Sequence, residues 1–344
     1  MTAAVLTITS CSKDESTEVN NGQAIDFRVA METRATETTT ANITNFLVTA
    51  INAGNSNFFT DQAFTKTGSY FTSNPAYYWP NDGSNLSFFA YSPSATDLGA
   101  TISITSASKT MTNFSPAAAI ASQKDFITAS ATGSKANEST GVALTFAHRL
   151  AQIEIKAKNA NQGYVYKVQG VRIGQPVSQA TTFDFGTSAW TLGTTKSNYE
   201  VTYTSAKTLN ATAASIMATD GNNAMLIPQQ LTAWTPDSDK TNTKKGAYIA
   251  VKVNITTKDG GQIYPAKVGE YDWTAVAIGT NWEAGKKYVY TLNFTDGAGK
   301  VDPEKPDPTD PTDPFNPGED ITGGKIKFTV EVEEWTETPV DVEM

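Results

Sequence analysis

A single His and a single Cys bound the chemistry open to this 344-residue chain. His148 lies between Phe146 and Leu150 in a strand-like run, where a packed, hydrogen-bonded imidazole is expected rather than a general base. Without it no Ser-His-Asp arrangement can be built. Cys11 is the only thiol, so no disulfide can close within the chain. Asp82-Gly83 and Asp259-Gly260-Gly261 are turn signals before they are ion ligands. A pair of carboxylates could serve a glycosidase, but no spacing nominates one. P-loop, dinucleotide and EF-hand patterns are missing from the sequence. The expectation is a non-enzymatic protein with no cofactor and no metal. Trp79, Trp190, Trp234, Trp273, Trp282 and Trp335 could stack on sugars, although core or interface packing is the commoner fate of Trp. They carry the alternative reading, a monomeric glycan- or ligand-binding surface lipoprotein or a tip adhesin.

The composition narrows the partners. Charged residues make up 18% of the chain, and 26 Lys+Arg against 35 Asp+Glu give a net charge of −9. Nucleic acid is therefore not expected as a partner on electrostatic grounds, as no basic patch survives such a balance. Thr is the commonest residue, and Val, Ile, Tyr and Phe are frequent. These side chains suit a pleated, half-buried surface, and long amphipathic helical patterns are missing. The fold class expected is all-β.

Residues 3–8 are mostly apolar and lead through Thr9 and Ser10 to Cys11. This has the form of a bacterial lipobox, in which the Cys becomes the acylated N-terminus. Acyl chains contribute about 0.8 kcal/mol per buried CH₂, so several chains hold a protein on a membrane. No Lys or Arg precedes Cys11, so the basic start that a signal peptide requires is expected upstream of Met1, or is lost from this sequence. Residues 12–22 are polar and form the expected tether.

Elements to carry these residues follow from period-two patterns. Ile25, Phe27 and Val29 alternate with Asp26 and Arg28, and a Thr-rich stretch containing Arg34 comes next. Further strands are expected at 44–51, 86–91, 101–105 and 142–146. A second series covers 153–156, 164–173, 182–185, 199–203, 225–228, 247–256 and 287–294, with turn residues between. The spacing suggests β-sandwiches and a boundary near Arg149. Residues 302–318 alternate Pro with acids and Thr, including Asp302-Pro303 and Asp313-Pro314. Each Pro favours extended backbone, so this stretch is expected as a polyproline spacer reaching roughly 50 Å at about 3.1 Å per residue. Beyond it Ile326, Phe328, Val330 and Val332 alternate with polar residues. A lone strand cannot bury one face unaided. It must join a sheet, in its own molecule or in another.

Several landmarks run in order along the chain: the Cys11 lipobox, Ile25-Asp-Phe-Arg-Val29 with Thr33-Arg34-Ala35, Tyr77-Tyr-Trp-Pro80 and Leu86-Ser-Phe-Phe-Ala-Tyr-Ser-Pro93. Asp125-Phe-Ile-Thr-Ala129, Leu144-Thr-Phe-Ala-His-Arg-Leu150, Leu226-Ile-Pro-Gln229 and Trp282-Glu-Ala-Gly-Lys-Lys-Tyr-Val-Tyr290 continue the series. Together they resemble the fimbrillin-like family of Bacteroidales surface lipoproteins, the subunits of type V pili. The resemblance implies two tandem transthyretin-like β-sandwich domains. It implies a segment 1–34 holding lipidation site, tether and removable first strand, domains at 35–149 and 150–301, a Pro-rich linker at 302–320 and a donor-strand segment at 321–344. Cleavage by an Arg-specific protease would fall between Arg34 and Ala35. The donor strand would present Ile326, Phe328, Val330 and Val332. The partners implied are other pilin subunits, the protease, the outer membrane before assembly, and an adhesion ligand; the location is the cell surface and its pilus.

Overall fold

The structure is a computed structural model and describes residues 23–31, 42–217, 223–235, 246–305, 313–321 and 325–334. It is nearly all β, as the composition implies. The helices described are the single turn Ala95–Leu98, capped by Ser94, and the 3₁₀ turns Ile120–Ser122 and Lys135–Asn137. None is long and apolar enough to cross a membrane.

The N-terminal unit is one sheet closed on itself. Its order is Phe27–Met31, Tyr70–Ser73, Asn57–Thr67, Asn45–Asn52, Leu86–Ser92, Ile127–Gly133 and Val142–His148, and the last strand pairs back onto the first. Alternation drives this closure: in Leu86–Ser92 the buried Leu86, Phe88 and Ala90 face inward between half-buried neighbours. Phe27, Phe46, Phe64, Phe88, Leu144 and Phe146 fill the interior with no exposed surface.

The C-terminal unit is a two-layer sandwich. One sheet runs Ala214–Ser215, Ala151–Lys158, Lys286–Asn293 and Lys327–Glu334, with Ala224–Leu226 also paired to Ala151–Lys158. The other runs Lys196–Thr208, Tyr164–Val177, Tyr248–Thr257, Asp272–Ala277 and Lys300–Val301. Tyr248–Thr257 is central, and its first four residues, Tyr248 to Val251, are buried on both faces, which explains their unbroken apolar run. Ile153, Ile155, Val171, Ile249 and Tyr290 lie in the core between the layers.

The boundary expected near Arg149 is crossed by structure. The hairpin strands Thr101–Ile104 and Lys109–Thr112 pair through Lys109–Thr112 with Ala180–Asp184, which in turn pairs with Ala189–Leu192. This four-stranded sheet joins the two halves over a shared cluster that includes Met111, Phe126, Phe183 and Met225. Leu150 is buried in that cluster, and the Trp190 indole N–H donates to the Arg149 carbonyl at 2.8 Å. The halves therefore share a sheet and a buried cluster across this position.

Candidate functional site

Among the described residues, the His and the Trp side chains that could do chemistry are buried or half-buried in the structure. His148 is 2% exposed, with Nδ1 2.9 Å from the Asp125 carboxylate, as a structural His should be. Trp79, Trp234 and Trp282 are buried, and Trp273 lies under the Arg172 guanidinium at 4.3 Å. No platform of exposed Trp forms among the described residues, and no group of three His, Cys, Asp or Glu there could hold a metal. Cys11, Arg34, Ala35 and Trp335 lie outside the described residues.

What remains is a strand slot. Phe27–Met31 closes the barrel by running parallel to the last strand, with Phe27, Val29 and Met31 opposite Val142, Leu144 and Phe146. On its other side it meets Tyr70–Ser73 through the single pair Phe27 and Phe71. The Ile25 N–H donates to the Tyr77 carbonyl at 2.7 Å, and the Val142 N–H donates to the Asp26 carbonyl at 3.0 Å. Phe27 packs edge-on to Phe64, Phe88 and Phe46 at ring separations of 4.7, 5.1 and 6.1 Å. Ile25 and Phe27 are buried, while Val29 and Met31 are half-buried at the mouth. Gly141 permits the close entry of this strand. It has φ +67°, and a Cβ there would stand 2.7 Å from Asp26 Oδ1.

The slot holds the first strand imperfectly. Asp26 Oδ1 is buried without a hydrogen-bond partner among the described residues. Burial raises the Asp26 carboxyl above its ordinary value, and the nearby Arg28 offsets only part of this. An acid whose folded pKa is raised favours the seated strand below its unfolded pKa of 3.8, and that advantage is lost as pH climbs through the raised value. Once the chain is cut beyond the strand, the released peptide is expected to dissociate faster at pH 7 than at pH 4. Asp26→Asn should flatten this dependence, read by stopped-flow fluorescence.

The terminal strand occupies an edge in its own molecule. Lys327–Glu334 pairs antiparallel with Lys286–Asn293, Phe328 facing Leu292 and Val330 facing Tyr290. Ile326 is buried against Gly299, whose φ of +81° and missing Cβ leave room for Ile326 Cδ1. Burial then declines along the strand: Phe328 and Val330 are half-buried, and Val332 is 57% exposed. A hollow of about 410 Å³ lies beside it, lined by residues that include Trp234, Ala275, Ala277, Ile326 and Phe328.

The expectation of a free 50 Å rod is corrected by the placement of both ends of the Pro-rich segment. Asp302, 2% exposed, is ion-paired with Arg172, which also holds Glu200. Burial pushes the Asp302 carboxyl up to about 6 even with Arg172 beside it. Glu304 accepts from Gln175 at 2.8 Å and Asn198 at 2.7 Å, and Lys305 pairs with Asp272 and Asp313 at 2.7 and 2.9 Å. The far end returns to the same strand: the Val301 N–H donates to the Glu319 carbonyl at 2.8 Å, and Lys300 pairs with Asp320 at 3.0 Å. Alternation of Pro and acid signals extended backbone, but not where its ends are tied.

Comparison with known proteins places this architecture. The profile of the fimbrillin-like family matches residues 33–335. The chain belongs to the fimbrillin-like family. A fimbrial protein from Bacteroides vulgatus shares the fold at a TM-score of 0.61 and 16% identity, over 91% of this chain and all (100%) of that one. A candidate cell adhesion protein from Parabacteroides distasonis gives a TM-score of 0.51 at 13% identity, over 94% of this chain and 99% of that one. No curated protein matches by sequence. At these identities the solved structures speak for the fold alone. Two elements stand out in this structure, the strand that fills the slot and the terminal strand at the sheet edge. Alternation exposed both in the sequence, whereas the anchoring cluster around Arg172 carried no local signal.

Proposed function

We propose that this fimbrillin-like protein is a structural, non-catalytic subunit of a cell-surface pilus. It is exported as a lipoprotein acylated at Cys11 and anchored in the outer membrane. An Arg-specific protease cuts between Arg34 and Ala35, and the subunits polymerise by strand exchange in support of adhesion. The observation that carries this reading is the separable first strand. Phe27–Met31 closes the barrel and fills its core, yet it ends only three residues before Arg34. A cut there leaves the strand held by noncovalent contacts alone. Its departure uncovers an apolar slot flanked by two unpaired strand edges, the kind of surface that captures an extended segment. Until the cut, the slot is covered and premature assembly is prevented. Arg28, the nearest other Arg, lies within the ladder opposite Ala143, which shields its backbone from a protease.

The terminal strand is the natural donor. It sits at a sheet edge with its apolar face half-used, and strand addition in trans would bury that face fully. Insertion head to tail is heterologous and does not close, so it yields a filament. The test is size-exclusion chromatography of the full chain before and after Arg-specific proteolysis. A monomer that becomes a high-mass polymer is the expected result, and Arg34→Ala should remain monomeric. A protein cut after Arg34 that stays monomeric overturns the reading.

A further inference from the structure

The first strand and the terminal strand carry one pattern. Ile25-Asp-Phe27-Arg-Val29-Ala-Met31 and Ile326-Lys-Phe328-Thr-Val330-Glu-Val332 place Ile, Phe and Val at the same spacing, followed by Met or Val. Burial follows the same gradient in each: Ile25 and Ile326 are buried, and the fourth position is the most open of the inward set in the tail and half-open in the first strand. Resting on the strand-exchange reading above, we infer that the slot is shaped for the tail of a second copy of this chain, in one register. Ile326 takes the place of Ile25, Phe328 that of Phe27, Val330 that of Val29 and Val332 that of Met31, parallel to residues 142–146.

Packing selects this register. The Phe27 position is walled by Phe46, Phe64 and Phe88 and has no exposed surface. A shift of one residue turns polar side chains into the core. A shift of two seats Ile326 or Val330 there and leaves a cavity, while Phe328 is forced into the closed Ile25 position or the open mouth. Reversing the strand places Val330 at the Phe27 position. Only the parallel, unshifted alignment matches the side chain at the Ile25, Phe27 and Val29 positions, with the smaller Val332 falling at the half-open Met31 position. It also replaces the half-buried Asp26, whose Oδ1 is buried without a hydrogen-bond partner among the described residues, by Lys327, whose long stem can carry its charge back to water. In its own sheet Phe328 stays half-buried, 6.1 Å from the Tyr290 ring; in the slot it gains complete burial among three rings. The match lies within one chain, so the filament it builds is homotypic.

Disulfide trapping reads the register. Thr145, exposed on the barrel, faces Ala30 in the resident strand, so in the proposed register it faces Glu331. Thr145→Cys is combined in turn with Lys327→Cys, Thr329→Cys, Glu331→Cys or Glu333→Cys, all at exposed positions. Each purified full-length variant is cut after Arg34, which also removes Cys11, and is then oxidised. The expected result is a covalent ladder for Glu331→Cys, with the other pairs at least tenfold weaker. A ladder strongest at 327, 329 or 333 overturns the register and leaves strand exchange standing. Polymer that cross-links at none of the four overturns the tail-in-slot assignment. Cut protein that remains monomeric overturns both the register and the strand-exchange reading.

Discussion

Phe27→Ala lowers the stability of the uncut protein by about 3–5 kcal/mol, the range for removing a fully buried aromatic ring. It nevertheless leaves polymerisation after cleavage intact or faster. The ring has no exposed surface and touches Phe46, Phe64 and Phe88, so its loss opens a cavity at the centre of the closed sheet. The strand backbone keeps its pairing with residues 142–146, so the barrel still forms. Urea unfolding of the full chain, followed by fluorescence, measures the loss. A change within about 0.5 kcal/mol, typical of surface positions, would show that the first strand does not seat as described. The second half of the result separates scaffold from subunit chemistry. Phe27 leaves with the excised segment, so a mutation there cannot weaken the finished filament. A filament weakened by Phe27→Ala would mean that this strand stays in the polymer.

The first and terminal strands were legible because each is amphipathic with period two, the pattern that a strand buried on one face favours. The same rule fails for Asn57–Thr67, which the alternation missed. Its outer face is solvent-exposed, and Asp61 breaks the pattern at φ 47° beside an irregular register with residues 48–51. Ile127–Gly133 was missed because its small Ala and Ser residues carry little hydrophobic signal. The return of the Pro-rich segment was out of reach for another reason. Asp302 finds Arg172 at a separation of 130 residues, and nothing local to either announces a partner. The joining of the halves through Lys109–Thr112 and Ala180–Asp184 is a long-range pairing of the same kind. Local pattern reports which face of a strand is buried; it does not report which strand lies next to it.

Phe328→Ala is expected to behave as the mirror image of Phe27→Ala. In the uncut monomer the ring is half-buried at a sheet edge beside a hollow, so its removal costs about 1–2 kcal/mol, roughly half the value of a fully buried side chain. In the filament the ring would occupy the position vacated by Phe27, where truncation costs about 3–5 kcal/mol. At about 1.4 kcal/mol per tenfold, subunit association should weaken by roughly a hundredfold or more. Critical-concentration measurements on protein cut after Arg34 give the second quantity and thermal unfolding of the uncut chain gives the first. Truncation at Asp320 sharpens the contrast. It removes Ile326 and the whole edge ladder, so some monomer stability is lost, but the acceptor slot on the same molecule is untouched. Such a truncated chain should cap filaments built from intact subunits: it accepts a tail and offers none. If Phe328→Ala costs the monomer the full 3–5 kcal/mol and leaves the critical concentration unchanged, the terminal strand belongs to its own sheet alone. The joint would then have to come from another segment.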